Sequence, residues 1–330
     1  MMMNNTLRNQ CNIPPGSIIT GKWNKNQYKV VRELGNGANG IVYLAENNKT
    51  LFALKISDNG ASIISEMNIL KEFSKAQGSA LGPSFVEADD WVKNGKPISF
   101  YVMEYIKGEG FLEFIQKKGP SWTGILMLQL LASLESLHKQ GWVFGDLKPE
   151  NLIVASPSSK VRCVDVGGTT KQGRSIKEFT EFFDRGYWGL GSRKADPKYD
   201  LFAVAMIFIN SAYPARFSRN GEGYKQLSEA IMQKKELRPF KPILEDALHG
   251  RFSAASEMRD RLIGILSQRE KAAGTAIKKQ VNASGKPSAS SRTKRKRAAN
   301  KKGKGGFVET CLLVAVVSLL YVLYIYEQFL

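Results

Sequence analysis

The pattern of apolar and polar positions changes character once along the chain. Residues 28–34, Tyr-Lys-Val-Val-Arg-Glu-Leu, and 41–45, Ile-Val-Tyr-Leu-Ala, are rich in β-branched and aromatic side chains and predict strands. Farther on, Ile125-Leu-Met-Leu-Gln-Leu-Leu131, continuing to Leu134 and Leu137, places its apolar residues at helical spacing. Periodicity of one kind or the other runs from Tyr28 to about Leu266. A β-rich beginning and a helical remainder predict an α+β domain in two parts, without internal repeats. Ahead of it, residues 1–27 are polar and Asn-rich, hold Pro14, Pro15 and Gly16, and predict a loosely structured lead-in.

Two further zones follow the domain. Residues 271–306 are Lys, Ala, Ser and Gly with almost no large apolar side chain, a composition that cannot bury enough surface to fold and predicts a disordered linker. Residues 310–326 carry no charge and lie between Glu309 and Glu327. As a helix they reach about 25 Å, enough for a short single span of a bilayer. Tyr321, Tyr324 and Tyr326 gather at the far end, where interfacial aromatics belong. The expectation is one C-terminal transmembrane helix with everything before it cytoplasmic. Cys11, Cys163 and Cys311 are far apart and fit a reducing compartment better than a disulfide framework or a zinc site. The start of the chain has no apolar run of the signal-peptide kind.

Charge sharpens this division. The net charge is +18 over 330 residues. Residues 271–306 hold twelve Lys or Arg and no Asp or Glu, so the rest carries only about +6. Such a balance favours anionic partners without choosing among them.

The candidate chemistry begins at Leu34-Gly35-Asn36-Gly37-Ala38-Asn39-Gly40-Ile41-Val42. Glycines at 35, 37 and 40 let backbone approach phosphate oxygens. A dinucleotide-binding turn shares this spacing but needs a helix next; here a strand follows, so the loop joins two strands. Lys55, in Ala53-Leu54-Lys55, stands on the next strand-like stretch, within reach of ATP phosphates. Glu66, on a helix-like segment over 64–70, would pair with it, with Glu72 as the less fitting alternative. Residues 100–108 form an apolar strand ending at a polar joint, which suits an adenine-binding hinge around Glu104 and Ile106. The most specific string is Phe144-Gly145-Asp146-Leu147-Lys148-Pro149-Glu150-Asn151, followed by Val164-Asp165-Val166-Gly167. Asp146 would orient an incoming hydroxyl, Asn151 and Asp165 would hold Mg²⁺ (or Mn²⁺), and Lys148 would offset charge on the moving phosphoryl group.

At these residues the sequence resembles the Hanks-type (eukaryotic-like) bacterial serine/threonine protein kinases. The likeness covers about residues 28–266. The compact domain, basic juxtamembrane stretch and terminal anchor are similar to those of sporulation-associated kinases of bacilli. The resemblance implies a bilobal kinase fold with a small β-rich N-lobe and a larger helical C-lobe. It also implies ATP and Mg²⁺ as cofactors and Ser or Thr of proteins as acceptors. It places Val42, Ala53 and Ile153 around the adenine ring and gives Asp200 the task of bracing the catalytic loop. Phe144-Gly145 replaces the family's His-Arg, Val166 replaces a Phe, and Gly189-Leu190-Gly191 stands where Ala-Pro-Glu is usual. Family members stack the side chains at 144 and 166 in one apolar column, often with a residue like Leu70. The family's substrate-side Thr falls near Thr180 or Asp184. Thr169, Thr170, Ser175 and Thr180 are candidate phosphorylation sites. A binding scaffold without catalysis, a pseudokinase tethering DNA or proteins to the membrane, is the alternative.

Arg292, Lys294, Arg295, Lys296, Arg297, Lys301, Lys302 and Lys304 put eight positive charges within thirteen residues. Such a run keeps its side of a membrane helix cytoplasmic. It also suits anionic lipid, and non-specific DNA through its phosphates. Gathering several copies on one such surface would favour self-association and phosphorylation between molecules.

Overall fold

The computed structural model describes residues 11–37, 39–75, 81–213 and 215–283. The basic run at 292–304 and the apolar stretch 310–326 lie outside them. Among the described residues no helix is long and apolar enough to cross a membrane. The chain divides into two units, 1–276 and 277–330, and the described part of the second is the end of the last helix.

The first lobe is a six-stranded antiparallel sheet. Its strands are β1 (Ile18–Thr20), β2 (Gln27–Gly37), β3 (Gly40–Asn47), β4 (Thr50–Ser57), β5 (Phe85–Lys93) and β6 (Lys96–Glu104), in the order β1-β2-β3-β4-β6-β5. The expected lead-in is corrected here, because residues 11–26 belong to this lobe. β1 pairs with β2, Ile18 opposite Lys29. Ile13 and Ile19 are buried with Tyr28, Val30 and Phe100. The Tyr43 hydroxyl donates to Cys11 O at 2.8 Å and accepts from Ile13 N–H at 3.0 Å. Asp89 accepts from the N–H groups of Trp23 (2.9 Å) and Asn24 (2.7 Å). The strand escapes detection because three residues after Pro-Pro-Gly are too few to show alternation.

Helix α1 (Gly60–Lys75) packs on this sheet. Asn59 starts it, its Oδ1 accepting from Ser62 N–H at 3.3 Å. Ile63, Ile69, Leu70 and Phe73 line its buried face, and Glu66 is on that face too.

The second lobe is mostly helical: α2 (Phe111–Lys118), α3 (Ser121–Lys139), α4 (Pro197–Ser211), α5 (Gly223–Gln233), α6 (Lys241–Leu248) and α7 (Ala255–Ala283). Its centre is α4, buried from Tyr199 to Asn210 and apolar over most of that length. Asp196 caps it, accepting from Lys198 N–H at 2.9 Å, with Pro197 at the first position. Short strands β7 (Gly108–Gly110), β8 (Trp142–Val143), β9 (Leu152–Ala155), β10 (Lys160–Cys163) and β11 (Thr170–Lys171) carry the loops between the lobes. Helix α7 corrects the predicted linker over residues 271–283, which are helical; Ala, Lys and Gln there favour helix without needing a core to pack on.

Candidate active site

A cleft of about 1170 Å³ lies between the lobes. Its roof is the turn joining β2 and β3. The three glycines there are not equivalent. A Cβ on Gly40, at φ +136°, would stand 2.4 Å from Ile56 O, so the fold itself demands glycine. At Gly35 and Gly37 an added Cβ would meet nothing within 4 Å, yet both line the cleft. Their missing side chains keep the cleft open, which fits a nucleotide phosphate track. Leu34, Val42, Ala53, Met103 and Ile153 line the cleft as well. Glu104 commits its side chain to Arg162 (2.9 Å) and to Ser84. Contact with a base at 104–106 therefore falls to the main chain, beside the buried Ile106.

Lys55 stands opposite Tyr101 in the β4–β6 register and donates to Glu66 Oε2 at 2.6 Å. Glu66, rather than Glu72, is thus the partner. The same oxygen accepts from the Tyr101 hydroxyl at 2.8 Å, and Ser62 donates to the other at 3.3 Å. Burial alone would lower the Lys55 pKa, but Asp165, 3.9 Å away, and Glu66 outweigh it and hold it above the ordinary value. The ammonium is therefore charged and fixed in place at neutral pH.

Strands β9 and β10 pair Leu152 with Cys163, and Val164 N–H donates to Asn151 O at 2.9 Å. This register brings Asn151 and Asp165 to one side of the cleft, although fourteen positions separate them in sequence. Asn151 donates its amide N–H to Asp146 O at 2.8 Å, which leaves the amide oxygen for a cation. Asp165 is half exposed, and both residues line the cleft. A hard divalent cation takes such oxygen ligands, so these residues fit one.

Asp146 pairs with the Lys148 ammonium. Thr180 donates to Asp146 Oδ1 at 3.2 Å and accepts from Lys148 at 3.2 Å. Of the two positions left open by the sequence, Thr180 is the one at the catalytic pair. Asp184 is buried and accepts from Gly186 N–H, Tyr187 N–H, the Tyr199 hydroxyl and Arg193. Among the four candidate phosphorylation sites, Thr169 and Thr170 are buried and Thr180 is engaged at Asp146; Ser175 is exposed. Nothing in the spacing alone separates these roles; the path of the activation segment does.

Asp200, wholly buried on α4, accepts from Phe144 N–H (2.8 Å) and Gly145 N–H (2.9 Å) and bonds His138 Nε2 (2.9 Å). Leu70, Phe144 and Val166 are buried in one core cluster, so a large residue at 144 accompanies a small one at 166. Gly145 has φ +85°, and a Cβ there would stand 2.6 Å from Gly168 O. Glycine fits this backbone, and a side chain would be strained there. Gly145→Arg is expected to destabilise the protein by about 1–3 kcal/mol, a fall of several degrees in Tm by calorimetry, with no gain in activity.

Residues 28–279 match the family described as protein kinase domain. The chain is 48% identical to serine/threonine-protein kinase YabT of Bacillus subtilis (strain 168), over 98% of each. It is 29% identical to serine/threonine-protein kinase PknG of Mycobacterium leprae (strain TN), over 78% of this chain but 34% of that one. Vaccinia related kinase 3 superposes with a TM-score of 0.59 at 16% identity, over 78% of this chain and 92% of that one, a likeness of fold alone. The chain belongs to the protein kinase family and is a serine/threonine protein kinase, using ATP and a divalent metal ion as that family does.

Proposed function

We propose that this kinase is held at the cell membrane by residues 310–326 with its catalytic domain in the cytoplasm, that it uses Mg²⁺, and that it phosphorylates copies of itself as well as other proteins. The observation that carries catalysis is the connected set Lys55–Glu66 and Asp146–Lys148–Thr180, with Asn151 and Asp165 beside it. A scaffold without catalysis has no use for a charged lysine held by a buried carboxylate that Tyr101 and Ser62 also anchor. Bound ATP·Mg²⁺ supplies the transferable phosphoryl group. Lys55 holds phosphate oxygens, and Asn151 and Asp165 offer oxygens to the metal ion. Asp146 orients the acceptor hydroxyl and takes its proton, while Lys148 offsets negative charge nearby.

The basic residues 292–304 are proposed to bind DNA phosphates or anionic lipid and so to concentrate the kinase. Copies bound side by side on one polyanion would meet at raised effective concentration without new contacts. The test is transfer of labelled phosphate by the full-length chain in vesicles, with and without duplex DNA, over a salt series. Labelled protein is expected only with a divalent ion. DNA or anionic vesicles should raise the rate, excess DNA should dilute the effect, and salt should weaken it. Neutralising Arg292, Lys294, Arg295, Lys296, Arg297, Lys301, Lys302 and Lys304 together should remove the stimulation. Indifference to both polyanions would leave the basic run a topological role alone.

A further inference from the structure

The activation segment turns back on the cleft at Lys177, Glu178 and Phe179, and all three residues line it. Glu178 is the one that reaches across. Its carboxyl accepts a hydrogen bond from the Asn39 side-chain amide, on the turn between β2 and β3. Asn39 adjoins Gly40 in the cleft's roof, and Glu178 stands two residues before Thr180, which touches Asp146. One bond therefore joins roof and floor at the end of the cleft where phosphates and acceptor meet.

The charges around this bond matter. Lys55 feels Glu178 as well as Asp165 and Glu66. Burial, together with Asp165 and Asp146, pushes the Glu178 carboxyl upward against the bond from Asn39. The group is thus already crowded by like charge before any nucleotide enters. The phosphates of ATP bring more negative charge and need the same lysine. In a partly desolvated cleft such repulsion is far less screened than in water.

We propose that Glu178 sets nucleotide affinity: held by Asn39 at the phosphate end of the cleft, it opposes the entry of ATP phosphates by like charge and leaves when ATP is held productively. The inference rests on the ATP-binding reading of the cleft. Grip on the nucleotide and position of the activation segment then form one equilibrium, because the side chain that yields to phosphate belongs to that segment.

The experiment measures dissociation constants of ATP and of adenosine, each with Mg²⁺, for the full-length chain in detergent. Glu178→Gln keeps the shape and the acceptor for Asn39 but removes the charge. It is expected to tighten ATP by about fivefold and leave adenosine unchanged. Asn39→Ala, which frees the carboxylate, should shift ATP in the same direction. The double variant should bind no tighter than the stronger single one, since both act through the charge at Glu178. Asn39→Ala decides alone if Glu178→Gln does not fold. Equal ATP affinity in wild type and variants, or adenosine shifting as much as ATP, overturns the proposal. A wild-type chain that binds no ATP overturns the reading of the cleft and this inference with it.

Discussion

Asp146→Asn is expected to lower kcat for a Ser-containing peptide by about 10²–10⁴-fold while the melting temperature stays close to wild type. The amide fills the same space, and its one oxygen can still accept from Lys148 and Asn151, which share Oδ2, while the Thr180 hydroxyl, which now donates to Oδ1, turns to accept from the amide N–H. What it cannot do is take a proton from the acceptor. The effect should therefore appear in kcat, with KM for ATP little altered, because binding falls to the glycine turn, Lys55 and the metal-binding oxygens. Steady-state kinetics with calorimetry on the same preparation checks both halves. Near-normal kcat at matched Tm would remove Asp146 from its assigned role.

Asp200→Ala is expected to do damage of another kind. It strips acceptors from two buried N–H groups, those of Phe144 and Gly145, and from the His138 ring. Leaving buried donors unpaired costs about 1–3 kcal/mol each, so a loss of about 2–6 kcal/mol from the two main-chain N–H groups alone is expected by chemical denaturation. Asp146 follows directly on these two residues, and displacing it by an ångström would cost about a hundredfold in rate even in molecules that stay folded. Asp200→Asn, which keeps one accepting oxygen, should recover part of both losses. Full activity in Asp200→Ala would show that the loop holds its shape without this brace.

Much of the catalytic set was legible because each member sits in a short string whose spacing the chemistry constrains. Lys55 follows the glycine turn by one strand, and Asp146, Lys148 and Asn151 share one loop. Asp165 is joined to them by a hairpin of predictable length. Residues whose roles depend on the path of a long loop were not legible: Thr180 and Asp184 look alike as candidates until the activation segment is traced. Thr169 and Thr170 stand level with Ser175 as phosphorylation candidates until that trace buries them. Glu178 and Asn39 are 139 positions apart and share no motif, so nothing local announces their bond. At the edges, the same physics misled in opposite directions. Prolines and polar residues hid the strand at Ile18–Thr20, whereas a run of helix-forming residues beyond Lys271 looked like linker because it lacks a core-facing stripe.

The short first strand has a practical consequence for anyone isolating the catalytic part. The family match begins at residue 28, and a fragment cut there loses the neighbour of β2. The main-chain groups of Tyr28 and Lys29 that β1 now pairs would become an open margin of the sheet. Ile13 and Ile19 would no longer cover Tyr28 and Val30, leaving an apolar surface beside that margin. Such a fragment would tend to borrow a strand from another copy. Its clustering in solution could then be mistaken for a property of the enzyme, when it belongs to the scissors.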